Sequence, residues 1–306
     1  KQLGNHIAIH INDTHPVVAI PELMRILVDE EGFGWEEAWR ITKSVMSFTN
    51  HTLLSEALER WPIDLFRRLL PRIYLIIEEI NRRFCKDVLA NYPHMEAHMR
   101  DIAIIADDRI NMANLAVVGT HSTNGVAQIH TEILKQREMR LFYEMFPLRF
   151  NNKTNGITHR RWFLSSNPAL ANRVSEAIGD SWIQHPSDLQ KLTKWAEDSA
   201  LQKDIAEIKL KRKEELALLI EKETGIVVDP TSIFDVQVKR LHAYKRQLLN
   251  ALHIHSLYYR LKEDRSFTMT PRTFIFGAKA APSYHYAKEV IRYINALARL
   301  INNDPD

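Results

Sequence analysis

The chain opens with apolar residues spaced two apart, a spacing that predicts a β-strand. These residues are Ile7, Ile9 and Ile11, and the polar run 12–16 ends the strand. Apolar residues then recur at helical spacing over 23–27, after Pro21, which a helix tolerates only in its first turn. The opening of the chain is therefore predicted to be strand, polar turn and helix.

Helical periodicity dominates the middle of the chain. Residues 35–45 predict a helix that leads into the polar run 48–51. A longer helix carries apolar residues at i, i+3, i+4, i+7 and i+11, which indicates a face packed in the core. This stripe consists of Ile73, Ile76, Ile77, Ile80 and Phe84. After a short apolar run, the polar residues 119–125 predict a loop and 126–134 another helix.

Strands alternate with helices toward the end of the chain. The patterns predict strands at 234–238 and 273–276 and helices at about 245–262 and 286–301. This βαβα order is typical of a parallel sheet covered by helices. The charged stretch 187–223 before it is strongly helical, with Ser187 and Gln190 at capping-box spacing. We predict a helical connector there and an α/β fold overall.

Composition and charge narrow the class of protein. With 306 residues, 45% of them hydrophobic, the chain can form about two domains. The 41 basic and 38 acidic residues are mixed along the chain, so a general attraction to nucleic acid or membranes is not expected. No run of about 18 apolar residues offers a membrane span. The single Cys85 cannot form an intrachain disulfide, which favours a reducing compartment and a cytoplasmic location.

Four cations surround a predicted strand-to-helix turn within 238–246. They are Lys239, Arg240, Lys245 and Arg246. Open α/β sheets bind ligands beyond the carboxyl ends of their strands, and a helix N-terminus adds N–H donors and a positive dipole. The turn therefore predicts a phosphate site, although a solvated basic surface would show the same run of charge. No glycine-rich nucleotide motif accompanies it, so a dinucleotide or nucleoside triphosphate is not expected.

Neutral polar residues concentrate in three further turns, at 12–15, 49–51 and 152–156. Their amide, hydroxyl and imidazole groups can donate and accept hydrogen bonds, as sugar hydroxyls require. Asn and Asp in single turns are also common as caps and turn formers. Spacing alone does not bring the three turns together, so a sugar site there is a hypothesis.

Two histidines four residues apart, His94 and His98, have a spacing that could hold zinc on a helix. The metalloprotease pattern needs a glutamate directly after the first histidine, whereas Glu96 comes two residues after it. No third ligand is apparent, so no metal is expected. The basic stretch 209–213 runs into acidic residues without interleaved aromatics, which argues against a nucleic-acid surface.

Seven ordered motifs resemble one family along nearly the whole chain, the α-glucan phosphorylases that act on glycogen, starch or maltodextrin. The motifs lie at Ile11–Pro16, Thr49–Trp61, Arg109–Ala113, Asn124–Ala127, Asn152–Thr158, Val238–Gln247 and Lys279–Pro282. Several long motifs in one order are far more specific than a single motif. These motifs identify the chain as similar to the α-glucan phosphorylases.

The resemblance implies parts of two Rossmann-like domains, in a helix-rich glycosyltransferase fold of the GT-B type. The expected divisions are 1–155 for the C-terminal part of the glucan-binding domain, 156–227 for a helical connector and 228–306 for the start of the cofactor- and phosphate-binding domain. The implied reaction is phosphorolysis, in which inorganic phosphate cleaves terminal α-1,4-linked glucose to give glucose 1-phosphate. Pyridoxal 5'-phosphate would assist, and the full-length protein would be a homodimer.

The resemblance also implies roles for particular residues. The glucose pocket would be lined by Asp13, His51, Val126, Asn155 and Tyr244, with His51 offering its backbone carbonyl. The catalytic residues Arg240 and Lys245 would bind substrate phosphate. Lys239 would bind the cofactor phosphate, and Trp162 would pack near the cofactor.

Three positions depart from the family pattern, since Ser55 and His159 replace usual prolines and Ala243 replaces a common glutamate. The sequence does not determine how these changes affect the local backbone geometry and the nearby salt bridges. The family's cofactor-bearing lysine, in a Gly-Asn-Met-Lys stretch, is not in this chain, and neither is an upstream glycine-rich loop. Together with the missing initiator Met, this predicts an internal piece of a larger enzyme that is inactive alone.

Two other functions stay open at this point. A glycoside hydrolase would need two carboxylates roughly 5–9.5 Å apart, and Asp13 and Glu56 are the only tempting pair. A non-catalytic carbohydrate-binding module would bind glucan without the cofactor. The sequence does not fix the preferred glucan or any regulation.

Overall fold

Helices packed on parallel strands make up both halves of the chain. The computed structural model describes residues 2–54 and 58–305. The chain divides into two units, Lys1–Gly156 and Ile157–Asp306. The helix-rich α/β class with parallel strands is confirmed, and none of the described helices is long and apolar enough to cross a membrane.

The first unit contains short strands and helices of very different lengths. Its strands are Ile9–Asn12 (β1), Met46–Thr49 (β2), Arg60–Pro62 (β3), Ile105–Ala106 (β4), Arg109–Asn111 (β5), Ser122–Gly125 (β6) and Phe150–Asn152 (β7). Its α-helices are Leu3–His6 (α1), Ala19–Arg25 (α2), Trp35–Val45 (α3), Ile63–Leu69 (α4), Pro71–Asn91 (α5), Met99–Ile102 (α6), Met112–Gly119 (α7), Gln128–Ile133 (α8) and Arg140–Met145 (α9). The π-helical turns Ile26–Glu30 and Leu134–Glu138 extend α2 and α8, and 3₁₀ turns cover Pro93–His98 and Pro147–Arg149.

A parallel sheet of four strands, in the order β1-β2-β6-β7, organises the first unit. All three neighbouring pairs in this sheet run in the same direction. Three short strands form a separate antiparallel sheet in the order β3-β5-β4. Because the four strands of the main sheet are parallel, their carboxyl ends lie along one edge.

Strand β6 shows that the loop prediction for 119–125 was wrong over its second half. Residues 122–125 pair with β2 on one side and with β7 on the other. Their side chains are polar or absent, so no alternating apolar pattern marks the strand. Hydrogen bonds between strands take the place of apolar contacts, since the Thr49 hydroxyl donates to Asn124 Oδ1 at 2.7 Å.

The apolar core of the first unit joins the sheet to its long helix. Helix α5 packs against α2 and α4. The predicted stripe is confirmed, because its five side chains are all buried, namely Ile73, Ile76, Ile77, Ile80 and Phe84. They share one cluster with Ile11 of β1 and Phe48 of β2, so the helix fixes the sheet from one side.

The second unit has fewer strands and longer helices. Its strands are Ile233–Val238 (β8) and Arg272–Gly277 (β9). Its α-helices are Pro168–Ile178 (α10), Ser199–Thr224 (α11), Gln247–Glu263 (α12) and His285–Asn302 (α13). A π-helical turn covers Arg160–Ser165, and 3₁₀ turns cover Asp180–Ile183, Pro186–Trp195 and Ala243–Lys245.

The βαβα order predicted for the end of the chain is confirmed. Strands β8 and β9 pair in parallel, with Ile233 opposite Arg272 and Val238 opposite Gly277. Helix α12 forms the crossover between them, and α13 packs on α12. The carboxyl end of β8 therefore opens into the basic turn, as the sequence predicts.

The charged stretch before this sheet is helical, but the predicted capping box was wrong. Ser187 lies inside the 3₁₀ turn Pro186–Trp195 and caps no α-helix. Helix α11 begins later, at Ser199, where the Asp198 carboxylate accepts a hydrogen bond from Leu201 N at 2.7 Å. The 3₁₀ turn packs Leu192 and its neighbours against the buried Trp182, which holds residues 186–195 out of the long helix.

Truncating the centre of the α5 stripe is expected to destabilise the fold. Ile77 is 0% exposed, whereas Leu75 on the same helix is 51% exposed. Ile77→Ala should lower the free energy of unfolding by about 2–5 kcal/mol, because it removes apolar contacts and leaves a cavity. Leu75→Ala, the matched control, should change it by roughly 0.5 kcal/mol or less. Equal losses for the two variants in urea denaturation would show that the stripe does not carry the core.

Candidate functional site

The carboxyl edge of the four-stranded sheet collects most of the predicted sugar-binding residues. Asp13, His51, Val126 and Asn155 lie within one to three residues of the ends of β1, β2, β6 and β7, respectively. Parallel sheets bind ligands beyond this edge because the strand ends leave backbone groups and turn side chains facing outward. The structure thus brings together three turns that sequence spacing alone could not join.

Backbone hydrogen bonds hold these turns in register. The bonds run from Asp13 N to Thr49 O at 2.9 Å, from Asn50 N to Asn124 O at 3.0 Å and from Asn155 N to Val126 O at 3.0 Å. Each bond joins one turn to a neighbouring strand or turn. The four turns therefore form one connected, ordered edge.

Asp13 adopts a backbone conformation that is unusual for its residue type. Its φ is 64°, in the left-handed region, and its Oδ1 accepts a hydrogen bond from Thr14 N at 2.8 Å. The other non-glycine residues with positive φ in the described chain are Asp107, Asp108 and Arg246. The first two form the tight turn between β4 and β5, which requires such angles. Strain at Asp13 and Arg246 has no such hairpin to explain it, and strain of this kind clusters at functional sites.

A buried histidine that the sequence analysis missed is hydrogen-bonded to two of the turns at this edge. His130 on α8 is 8% exposed; its Nδ1 accepts a hydrogen bond from Val126 N at 3.0 Å. Its Nε2 lies 3.1 Å from Asn50 Oδ1. Since Nδ1 is an acceptor, the neutral ring carries its proton on Nε2 and donates it to Asn50. His130 therefore ties the turn after β6 to the turn after β2.

Gly125 shows how closely the end of strand β6 approaches His130. A Cβ added to Gly125 would lie 3.0 Å from His130 Nδ1, so the strand end and helix α8 approach too closely for a larger residue. The close approach is visible only in three dimensions. In the sequence, His130 is a single histidine in a helical segment.

One polar group at this edge has no partner in the described part of the chain. The Nδ2 atom of Asn50 is buried and makes no hydrogen bond. His51 is exposed, and its Nε2 is hydrogen-bonded to Asn12 Oδ1. An unmatched donor beside an exposed imidazole fits an edge that receives a polar ligand with acceptor oxygens.

In the second unit, the basic turn presents cations without acidic partners. Lys239 and Arg240 are exposed, and the Lys245 ammonium lies 4.7 Å from the centre of the Tyr244 ring. Neither these three nor Arg246 forms an ion pair with any described residue. The run of charge is therefore not a surface network of salt bridges.

Two glutamine side chains hold the backbone of this turn. Gln247 is 1% exposed, and its Nε2 donates to the carbonyl oxygens of Lys239 and Arg240 at 3.3 and 3.0 Å. The Nε2 of Gln237 donates to Lys245 O at 3.0 Å. These bonds occupy carbonyl oxygens that would otherwise repel an anion. The turn is thus ordered with its cationic side chains left free.

Aromatic rings pack beside the cations. The His242 ring lies 4.5 Å from the Tyr244 ring and 5.1 Å from the Tyr284 ring, measured between centres. The Tyr284 hydroxyl accepts a hydrogen bond from Ala243 N at 3.3 Å. Tyr244 is 40% exposed, so its ring is available to a ligand at the same turn as Arg240 and Lys245.

The remaining predicted positions lie elsewhere or outside the described residues. Trp162 is 73% exposed in the turn Arg160–Ser165, and no described interaction joins it to the basic turn. His159, in place of a usual proline, binds Ile183 O through Nε2 at 2.9 Å, which gives it a local structural role. Ser55 and Glu56 fall outside the described residues, so the hydrolase pair of Asp13 and Glu56 has no structural test.

The two histidines with zinc-like spacing lie in a 3₁₀ turn and contact acidic residues separately. His94 Nε2 is 3.2 Å from Glu144 Oε1, and His98 Nδ1 is 3.8 Å from Asp101 Oδ2. Over residues 2–54 and 58–305, no group of three or more His, Cys, Asp or Glu side chains could hold a metal ion.

Comparison with known proteins decides the family. A family model described as "Carbohydrate phosphorylase" matches residues 1–306. The chain belongs to the carbohydrate phosphorylase family. This confirms the resemblance drawn from the seven motifs.

Relatives of this carbohydrate phosphorylase chain occur in bacteria and mammals. It is 59% identical to the glycogen phosphorylase of Bacillus subtilis (strain 168) over 303 residues, which cover 99% of the chain and 38% of that protein. It is 49% identical to the brain form of glycogen phosphorylase from Bos taurus over 98% of the chain and 36% of that protein. It is 47% identical to the glycogen phosphorylase of Synechocystis, again over 36% of the relative. The chain therefore spans little more than a third of the length of these relatives.

The buried histidine of this phosphorylase chain should make its stability depend on pH. Burial, and secondarily the charge of His51, lower the pKa of His130 from its ordinary value of 6.5. Below about pH 6.5 the unfolded chain takes up a proton that the folded chain does not, so stability falls as pH drops toward the folded pKa. His130→Gln should remove this part of the pH dependence of the free energy of unfolding. Urea denaturation between about pH 5 and pH 8 measures it, because this range extends roughly one and a half units to either side of the ordinary histidine pKa.

His6→Gln is the control for losing one histidine, because His6 lies on the exposed surface of the same unit. If the difference in unfolding free energy between the starting protein and His130→Gln stays constant across this pH range, the proposed tautomer and burial of His130 are incorrect.

Proposed function

We propose that the full-length protein containing this chain carries out phosphorolysis of terminal α-1,4-linked glucose in glycogen or a related glucan. The products would be glucose 1-phosphate and a shortened glucan. The observation that carries this proposal is the basic turn, whose cations lack acidic partners while its carbonyl oxygens are held by Gln237 and Gln247. Membership of the carbohydrate phosphorylase family and the named glycogen phosphorylase relatives support it.

The sugar side of the reaction is assigned to the first unit. Asp13, His51, Val126 and Asn155 would contact the glucose ring from the four turns. Carboxylate, backbone carbonyl and amide groups suit sugar hydroxyls because these both donate and accept hydrogen bonds. The unpartnered Nδ2 of Asn50 behind His51 supports this, since a polar ligand or its bound water could satisfy that donor.

The phosphate side is assigned to the basic turn. Arg240 and Lys245 would bind substrate phosphate, and Tyr244 would contact the sugar. As the glycosidic bond breaks, negative charge has to be stabilised on phosphate oxygens, and fixed cations do this without reorganising. The Arg240 guanidinium also has the planar geometry that binds two phosphate oxygens at once.

The donor set of the same turn fits pyridoxal phosphate. Lys239 would hold the cofactor phosphate, because it is an exposed cation without an acidic partner and its backbone is fixed by Gln247. Trp162 would pack near the cofactor. When bound, the cofactor assists the reaction through its own phosphate group. Two phosphates at close range repel each other, so Lys239, Arg240 and Lys245 are needed to lower that repulsion.

The finer fold assignment is also a proposal. Residues 1–155 would form the C-terminal part of one Rossmann-like domain, 156–227 a helical connector and 228–306 the start of a second Rossmann-like domain. The parallel sheets and the division of the chain after Gly156 support this reading. We further propose a cytoplasmic homodimer for the full-length protein, and we expect this chain to be inactive alone because it has no Gly-Asn-Met-Lys stretch.

Removing the ammonium group of Lys245 should abolish most of the activity. We expect Lys245→Ala in the full-length protein to lower the rate of glucose 1-phosphate release from maltodextrin by about 100-fold or more, as is usual when a fixed group stabilising transition-state charge is lost. Lys211→Ala, on the exposed surface of α11, is the matched control and should keep full activity.

The same assay separates the other functions. Release of glucose 1-phosphate must require both added phosphate and pyridoxal phosphate. Free glucose formed without phosphate would instead identify a glycoside hydrolase. Glucan binding without any turnover, unchanged in Lys245→Ala, would identify a carbohydrate-binding module.

A further inference from the structure

A cleft of roughly 710 Å³ opens on the first unit, at the opposite edge of the sheet from the four turns. Three of its lining residues place it there: Lys43 lies just before β2, Val118 just before β6, and Arg149 directly before β7. The cleft is therefore at the amino ends of the strands. Its volume is within the range of about 300–1,000 Å³ typical of small-molecule sites.

Positive charge dominates the lining of this cleft. Five cations line it against two carboxylates, namely Lys43, Arg82, Arg83, Lys86 and Arg149 against Glu36 and Asp87. Some of this charge is already matched, since Arg82 pairs with Glu79 at 2.7 Å and Arg83 pairs with Glu36 and Glu79. Lys43, Lys86 and Arg149 form no ion pair with any described residue.

Lys43 and Arg149 are half-buried cations that repel each other. Burial and then the charge of Arg149 lower the pKa of Lys43, whereas the charge of Asp87 raises it. Burial likewise lowers the pKa of Arg149. In the described chain, the one hydrogen bond of its guanidinium is a long one, 3.5 Å to Val117 O. Two partly desolvated like charges are unfavourable unless an anion lies between them.

Aromatic rings lie beside both of these cations. The Lys43 ammonium lies 5.8 Å from the centre of the Trp39 ring, and the Arg149 guanidinium lies 4.1 Å from that of Phe146. Trp35 and Tyr92 also line the cleft and are half-buried. Ring faces of this kind stack on a flat or cyclic group, and they add little to the binding of a bare ion.

We propose that this cleft binds a small phosphate monoester carried on a ring, with the phosphate between Lys43 and Arg149 and the ring against the tryptophans. Guanidinium and ammonium groups are the side chains that bind phosphate most strongly. This site does not depend on the phosphorolysis proposed above, because it uses none of the residues assigned to that reaction.

Titration calorimetry on the full-length protein tests the site, with phenyl phosphate as the probe. Lys43→Met keeps the alkyl stem but removes the charge, and it should weaken phenyl phosphate binding by about tenfold or more. Lys135→Met is the matched control, because Lys135 also lies over an aromatic ring, Tyr143, but outside the cleft and paired with Glu132 at 3.4 Å. The control and Lys245→Ala should both bind phenyl phosphate at the cleft as the starting protein does.

Three further arms define the ligand. These arms use Lys245→Ala, which lacks the ammonium assigned to substrate phosphate at the basic turn. In it, inorganic phosphate and benzyl alcohol should each bind at least about tenfold more weakly than phenyl phosphate, because each offers half of the recognised chemistry. Cyclohexyl phosphate, compared with phenyl phosphate, distinguishes a saturated ring such as a sugar from a flat one such as a base. Without ligand, Lys43→Met should not lower the midpoint of thermal unfolding, since it relieves a repulsion.

Several results would overturn the proposal. One is the absence of phenyl phosphate binding, as expected if another segment of the full-length protein fills the cleft. Another is binding that survives Lys43→Met or that is lost in Lys245→Ala, because the probe would then occupy the basic turn. Equal affinity for inorganic phosphate would contradict the role of the rings.

Discussion

All four strands of the main sheet run in one direction, and this direction gives the two edges of the sheet different chemistry. At the carboxyl edge the chain leaves each strand through a polar turn, so Asp13, His51, Val126 and Asn155 are brought side by side. At the amino edge the chain arrives from helices, which place Lys43 and Arg149 beside aromatic rings. An antiparallel sheet would mix these turns and helix ends on both edges.

The carboxyl edge requires polar groups to be buried, and this imposes a second constraint. A polar side chain without a partner is costly in a core, so the groups behind the turns satisfy one another. His130 links Val126 N with Asn50 Oδ1, and Thr49 links to Asn124. The network fixes the tautomer of His130 and the orientation of Asn50. Among the described residues, it leaves Asn50 Nδ2 without a hydrogen-bond partner.

Periodicity predicted those elements whose burial is apolar. The stripe on α5 and the helix at 35–45 follow directly from side-chain spacing, because one face of each helix is in the core. Strand β6 escaped prediction because hydrogen bonds hold it among its neighbours, and hydrogen bonds leave no period in the sequence. The long connector helix was placed too early because Ser187 has capping-box spacing, while tertiary packing on Trp182 decided the local winding.

The candidate sites also differ in how far the sequence could predict them. The basic turn was predictable because its cations are consecutive in sequence and follow a clear strand. His130 and the cleft were not predictable, because their groups come from separate elements and meet only in the fold.

In a chain with balanced charge, cations without an acidic partner say more about anion binding than the net charge does. The sequence has 41 basic and 38 acidic residues, so nearly every cation has an acid available to it. Many cations on the surface are in fact paired within one or two helical turns, as Arg82 is with Glu79. An unpaired cation is not informative by itself, since exposed surface cations such as Lys211 also lack an ion pair with any described residue. It is informative where the fold also holds it beside an aromatic ring. In both units such cations gather beside aromatic rings at the ends of strands, at Lys245 with Tyr244 and at Lys43 with Trp39. An incoming anion can satisfy these groups, whereas an internal carboxylate would compete with it for the same positions.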